Sequence, residues 1–349
     1  MNTNWLNWLG TRGAVIENAQ VLHFDDPAQE PAATVQASII TDLSHYGLLQ
    51  VDGADATQFL QNQTGNDVRK VDAHYSQLSS YCSPKGRMYA VFRLFRIEDR
   101  YLLRMPTEVA VPLQKRLQLF VLMSKVKLSA VGDSWVRFGI AGPDAATVLK
   151  KELGTNLENP NAVAHTNGFS VIRVPGKLRF EIYGPLQAMQ SLWQACTPKL
   201  TPVGRDAWPL LDILNGIPTV YAQTSEHFVP QMANLQLIDG VNFKKGCYPG
   251  QEVVARMQYL GKLKRRMYCF EINTPTAPEP GTVITALLDG TAHETGEIVD
   301  ARPVSAGNCM ALAIVQSSNI GQPLRLQDAA GPALELKPLP YPVATLDET

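Results

Sequence analysis

The chain changes character near Glu252, and that change limits its folds most. Beyond it, residues 263–272, 282–287, 296–302, 309–315 and 324–326 are short β-prone runs at near-regular spacing. Such spacing predicts a small closed antiparallel barrel or a sandwich, and the barrel is the expectation adopted. Ahead of it, helical patterns and hairpins mix without the strict strand–helix alternation of a parallel sheet. A doubly wound fold is therefore disfavoured and an α+β class expected. Residues 54–63 read as a helix with Ala56, Phe59, Leu60 and Gln63 on one face. Residues 77–83 and 87–96 read as strands joined through Ser83-Pro84-Lys85-Gly86, which is good turn chemistry. The second strand should put Met88, Ala90, Phe92 and Leu94 on a core face, and Tyr89, Val91, Arg93 and Phe95 on an amphipathic one. Further helices are expected over 112–122, 186–195 and 206–214, the last closed by Asn215-Gly216.

A chain of 349 residues exceeds most single cores. The expected division is an N-terminal arm over 1–33 and an α+β region over 34–257, built as two interleaved subdomains. The barrel would follow over 258–341, and a tail over 342–349. Lys and Arg number 31 against 32 Asp and Glu, so any nucleic-acid contact must come from a local patch. Cys82, Cys196, Cys247, Cys269 and Cys309 are odd in number and widely spaced, with no CxxC pair. Neither a zinc site nor a disulfide framework is expected, so no bound metal is foreseen and a reducing cytoplasm fits. No stretch approaches the ~20 apolar residues of a membrane span, and the first ten residues are not a secretory signal. No membrane association is foreseen, and nothing demands more than a monomer.

The run Lys244-Lys245-Gly246-Cys247-Tyr248-Pro249-Gly250-Gln251-Glu252 carries the most chemistry. Pro249 suits the first position of a helix, which would put Val253, Val254 and Met257 on one face and Cys247 just before the start. Free N–H groups and the positive dipole end there favour a thiolate, and Lys244 and Lys245 add charge. Gly246 and Gly250 leave little bulk around the sulfur. Cys247 is thus read as a reactive or partner-facing thiol. The alternative is a small buried hydrophobe at a loop corner, which is the usual fate of cysteine and the expectation for the other four. A cysteine nucleophile would need a base, and His45, His74 and His227 are available, though the sequence does not place them. Arg256, Lys262, Lys264, Arg265 and Arg266 make a basic stretch. They are candidate anion contacts for an RNA backbone or a polyglutamate tail, or else a solvated strand start.

These residues resemble a known family. The run 243–252 is similar to the signature of the YgfZ family, folate-binding proteins built like the glycine-cleavage T-protein. Phe228-Val229-Pro230-Gln231, Phe59-Leu60-Gln61-Asn62-Gln63, Cys82-Ser83-Pro84-Lys85-Gly86-Arg87, Ser124-Lys125-Val126 and Pro338-Leu339-Pro340-Tyr341 follow the family in order. The resemblance implies a multi-domain ring around a folate-sized hole, closed by a C-terminal antiparallel β-barrel. It implies tetrahydrofolate or a derivative as ligand, with Tyr46 and Trp208 as the aromatic positions of its site. The family prefers tryptophan where Tyr46 stands, and a small residue where Pro249 stands. The implied function is support of iron–sulfur cluster assembly or repair, and through it tRNA methylthiolation, with a link to control of replication initiation. Iron–sulfur enzymes or assembly factors, and tRNA or a tRNA-modifying enzyme, are the implied partners. This describes a helper rather than a conventional enzyme. The alternatives are a folate-dependent aminomethyl transferase, for which Cys247 would be dispensable, and a tRNA-binding accessory module.

Overall fold

The structure, a computed structural model, describes residues 2–259, 261 and 263–343. The chain divides into two compact units, each discontinuous in sequence. The first comprises residues 1–60, 68–77 and 93–211, and the second comprises 61–67, 78–92 and 212–349.

The first unit holds a six-stranded sheet. Its order is Val163–Thr166, Phe169–Arg173, Arg179–Gly184, Val136–Ala141, Ile39–Asp42 and Thr201–Val203. The helices Thr3–Gly10, Ala145–Leu153 and Leu186–Cys196 contribute Trp5, Leu149 and Trp193 to the same buried cluster as Phe138 and Phe180 of the sheet. The N-terminal segment is therefore not the arm expected from its breakers. Asn2 caps the first helix by accepting from the Trp5 amide, and Trp5, Leu6 and Leu9 form its buried face. Breakers at Asp25-Asp26-Pro27 mark turns between packed pieces here, not a loose tether.

Two further expectations need correction. The strand Met88–Ile97 is buried along both faces, because its alternating Val91, Arg93 and Phe95 are covered as fully as Met88 and Phe92. The helix expected over 112–122 runs instead over Thr107–Gln118, starting earlier and keeping Pro112 in its second turn. Its apolar sequence continues past the end, and Leu119, Leu122 and Met123 stand exposed in the following turns. Periodicity alone carried the helix reading through residues that no core covers.

The second unit closes as a six-stranded barrel. Arg265–Asn273, Asn308–Gln316, Thr291–Ser305, Val283–Leu288, Leu324–Leu326 and Ala333–Lys337 follow one another around it, and Ala333–Lys337 pairs back onto Arg265–Asn273. Ile272, Ile284, Ile298, Ala311, Ala313 and Leu324 fill it. All pairings are antiparallel, so closure leaves no free edge.

Asp300 sits buried in this unit. Arg302 Nη1 lies 2.7 Å from its Oδ1, and the Tyr221 hydroxyl donates to Oδ2 at 2.8 Å. Burial outweighs both partners and pushes its carboxyl up to about 6. Between pH 4 and 6 the native state therefore holds a proton that the unfolded chain has released, and stability falls as pH rises. Asp300→Asn should flatten that limb, worth on the order of 2–3 kcal/mol. Urea midpoints at pH 4, 5 and 6 for both proteins check this; parallel curves would reject it.

Candidate functional site

Cys247 lies on an exposed loop that is fastened on either side. Lys245 points inward, 5 % exposed, and its ammonium donates to the carbonyls of Gln61 and Thr64. It also stands 5.0 Å from the centre of the Tyr248 ring. Tyr248 is buried, and burial pushes its hydroxyl above the usual phenol range. Cys247 lies exposed between these anchors, and Lys244 is exposed just before the first of them. Asn242 Oδ1 accepts from the Lys244 amide at 2.8 Å, and the Gln251 side chain donates to the Lys245 carbonyl at 3.2 Å. Lys245 therefore spends its charge on buried carbonyls and is not the cation beside the sulfur that its neighbourhood in sequence predicts.

The helix after the loop spans Gln251–Tyr259, so Pro249 is not its first residue. Tyr248, Pro249 and Gly250 form a turn in which the Tyr248 carbonyl accepts from the Gln251 amide at 3.1 Å. Gly250 takes φ +80° there, which ends helical geometry on its N-terminal side. Cys247 is thereby separated from the first helical turn, to which the dipole's influence is largely confined. Of the face expected on this helix, Val254 is buried while Val253 is 38 % exposed.

The two glycines beside the sulfur differ. A Cβ on Gly250 would lie 2.4 Å from the Ser83 carbonyl oxygen and 2.7 Å from the Gly86 backbone. The signature loop thus seats on the Ser83–Gly86 turn, where the Ser83 amide donates to the Arg87 carbonyl at 2.8 Å. A Cβ on Gly246 would meet nothing within 4 Å, so the space beside the thiol is open. Among the described residues Cys247 is the exposed cysteine, and the other four are buried. Burial pushes the thiols of Cys82, Cys196 and Cys269 up to about 12, and that of Cys309 up to about 11. No side chain among the described residues hydrogen-bonds to the Cys247 sulfur. Of the three histidines weighed as its base, His227 bonds instead to Glu297, 2.7 Å away.

Tyr46 and Trp208 come together in the first unit, in one buried cluster with Ile39, Leu43 and Val203. They are 4 % and 0 % exposed, so neither offers a face to a ligand in this conformation. Trp208 donates to Glu181 at 3.2 Å, Tyr183 donates to the other oxygen at 2.6 Å, and Arg104 pairs with Glu181 at 3.1 Å. Arg104 in turn lies 4.2 Å from the centre of the Tyr46 ring. Burial by itself would raise the Glu181 carboxyl, but Arg104, Arg93 and the Tyr183 hydroxyl outweigh it and hold it below the ordinary range. The donor set suits a pterin in kind, since it combines a carboxylate, guanidinium groups and aromatic rings. In access it is closed, because Glu181, Tyr46 and Trp208 are all buried and the rings contact Glu181 and Arg104. Sequence reading named the rings but not Glu181 or Arg104, whose strand positions look like ordinary alternation.

Of the basic stretch, Lys264 and Arg265 line a hollow of ≈ 380 Å³ in the second unit, with Arg87, which the sequence reading missed. Arg256 and Arg266 do not line it, and Lys262 lies outside the described residues. Among the described residues no cluster of three or more His, Cys, Asp or Glu could hold a metal, and no helix is long and apolar enough to cross a membrane.

Residues 14–245 match the family described as GCVT N-terminal domain. The tRNA-modifying protein YgfZ of Yersinia pseudotuberculosis serotype O:1b is 30 % identical over 334 residues, covering 92 % of this chain and 98 % of that one. The chain belongs to the YgfZ family. Another YgfZ relative, from Colwellia psychrerythraea, is 29 % identical over 310 residues, covering 88 % of this chain and 95 % of its own. The YgfZ chain shares its fold with the glycine cleavage system aminomethyltransferase T from Bartonella henselae, at TM-score 0.79 and 19 % identity over 96 % of both chains. The α+β class, the T-protein-like fold and the C-terminal antiparallel barrel expected from sequence are thus observed.

Proposed function

We propose that this protein binds a reduced folate and uses Cys247 in the maintenance or repair of iron–sulfur clusters, supporting methylthiolation of tRNA. The observation that carries the reading is the outward thiol on a loop fixed by Lys245 and Gly250, while the other four cysteines are buried. A protein using one thiol on a partner needs that arrangement. A single thiolate does not complete a cluster's coordination, so the remaining ligands come from an iron–sulfur enzyme or assembly factor. Free thiols suit the reducing cytoplasm, where the chain acts as a monomer. The same reading carries a link to control of replication initiation. The folate half rests on the T-protein-like fold; the Glu181 carboxylate is fully buried and already engaged by Trp208, Tyr183 and Arg104. Tyr46 and Trp208 position that carboxylate and Arg104.

The test is complementation of a bacterial strain lacking its own copy, reading methylthiolated tRNA and iron–sulfur enzyme activity. Wild type should rescue. Cys247→Ser should lose at least about ten-fold in both readouts with an unchanged melting temperature, because an exposed Cys-to-Ser change costs little stability. Full rescue by Cys247→Ser would sink the cluster reading. It would leave folate-dependent aminomethyl transfer, which the shared fold favours, to be assayed as formaldehyde-equivalent transfer by the purified chain.

A further inference from the structure

The ≈ 380 Å³ hollow in the second unit lies within the size range of small-molecule sites. It is lined by Arg87, Lys264 and Arg265, by His227, and by the apolar Phe228, Met232, Met257, Leu263 and Ile314. The three cations come from places far apart in sequence: the residue after the Ser83–Gly86 turn, and two neighbours at the start of the barrel. Arg87 is held by donating through Nη1 to the carbonyls of Glu226 and His227. The Met88 amide also donates to the Phe228 carbonyl at 2.8 Å, which ties that segment to the hairpin. Neither Lys264 nor Arg265 makes an ion pair among the described residues. No carboxylate lines the hollow, and Glu297 is engaged by the lining residue His227 at 2.7 Å.

Three positive charges around one depression repel each other, and an anion placed among them relieves that repulsion. Two are guanidinium groups, whose planar forks match phosphate oxygens. The apolar lining with its thioethers accepts the flat face of a base. We infer that this hollow binds one nucleotide, with its phosphate among Arg87, Lys264 and Arg265 and its base against the apolar lining that includes Met257. It gives the tRNA part of the proposed function a physical contact on this chain, and it rests on that part of the reading. The charge balance of 31 against 32 over the whole sequence makes the contact local. The phosphate belongs either to a free mononucleotide or to a single-stranded RNA chain.

The test uses the full chain, fluorescent decaadenylate RNA, AMP as a free nucleotide, and tri-γ-glutamate as a carboxylate competitor. Binding is read by anisotropy and competition across a salt series. Lys264→Glu/Arg265→Glu should weaken RNA binding about ten-fold or more at an unchanged melting temperature. It should also flatten the salt slope from about −0.7 toward zero, since one phosphate neutralised on a single strand contributes roughly −0.7. Displacement of the RNA by AMP assigns the site to free nucleotides, and failure of AMP with retained RNA binding assigns it to a strand. Either outcome supports a nucleotide phosphate. RNA binding that is absent, or indifferent to the double charge reversal, overturns the inference. So does tri-γ-glutamate binding more tightly than RNA. Because this assay is independent of Cys247, it can fail while the complementation result stands, and the reverse.

Discussion

Glu181→Ala is expected to lower the unfolding free energy by about 3–5 kcal/mol, a large share of the roughly 5–15 kcal/mol that holds a typical domain. Glu181 is fully buried and serves Arg104, Tyr183 and Trp208 at once. Alanine removes the acceptor from three buried donors and leaves the Arg104 cation in the interior without its carboxylate. Glu181→Gln keeps the shape and one acceptor oxygen, so its loss should be about half as large. Its pH profile is the sharper readout. With the native carboxyl held below its unfolded value, the stabilisation is present above the unfolded pKa and lost as pH falls through the native one. Wild type should lose this increment on acidification, while Glu181→Gln should lack that part of the slope. Urea denaturation from pH 7 downward measures both. A cost below about 1 kcal/mol for alanine would show that water or rearranged partners satisfy the cluster.

The second large effect is expected at Gly250. Gly250→Ala forces a Cβ to within 2.4 Å of the Ser83 oxygen at a φ of +80°, so it meets a backbone clash and an unfavourable conformation together. Relief requires the signature loop to lift from the Ser83–Gly86 turn, which should cost about 2–4 kcal/mol and move Cys247 with it. Gly246→Ala, one residue before Cys247, should cost less than about 0.5 kcal/mol because its Cβ meets open space. Melting temperatures and the rate of Cys247 alkylation distinguish the pair. Gly250→Ala should melt lower and alkylate at a changed rate, and Gly246→Ala should track wild type in stability. Equal behaviour of the two would refute the account of how the loop is seated.

What could be read from sequence follows from the range of the forces involved. The barrel strands, the Ser83–Gly86 turn and the helix closed at Gly216 depend on alternation and local turn chemistry, and these show in neighbouring residues. The outward Cys247 was likewise visible as a cysteine flanked by glycine in a polar run. Lys245 was read as a surface cation because the Gln61 and Thr64 carbonyls that bury it lie far away in sequence. Glu181 and Arg104 escaped notice for the same reason, since strand alternation cannot tell a solvated face from one covered by a charged layer. The helix start at Gln251 was misplaced because proline's suitability for a first turn was weighed without the positive φ that Gly250 adopts next to it.

The second unit gathers 61–67 and 78–92 with everything from Asp212 onward. This order has a consequence during synthesis. The carbonyls that receive Lys245 and the turn that receives Gly250 leave the ribosome long before the residues that cover them. At roughly 5–20 residues per second, the stretch between Phe92 and Lys245 takes on the order of ten to thirty seconds to translate. Through that interval the hairpin Gln77–Ile97 lacks the Glu226 and Phe228 backbone groups that Met88 pairs with. A translational pause shortly before Lys245 would lengthen that interval.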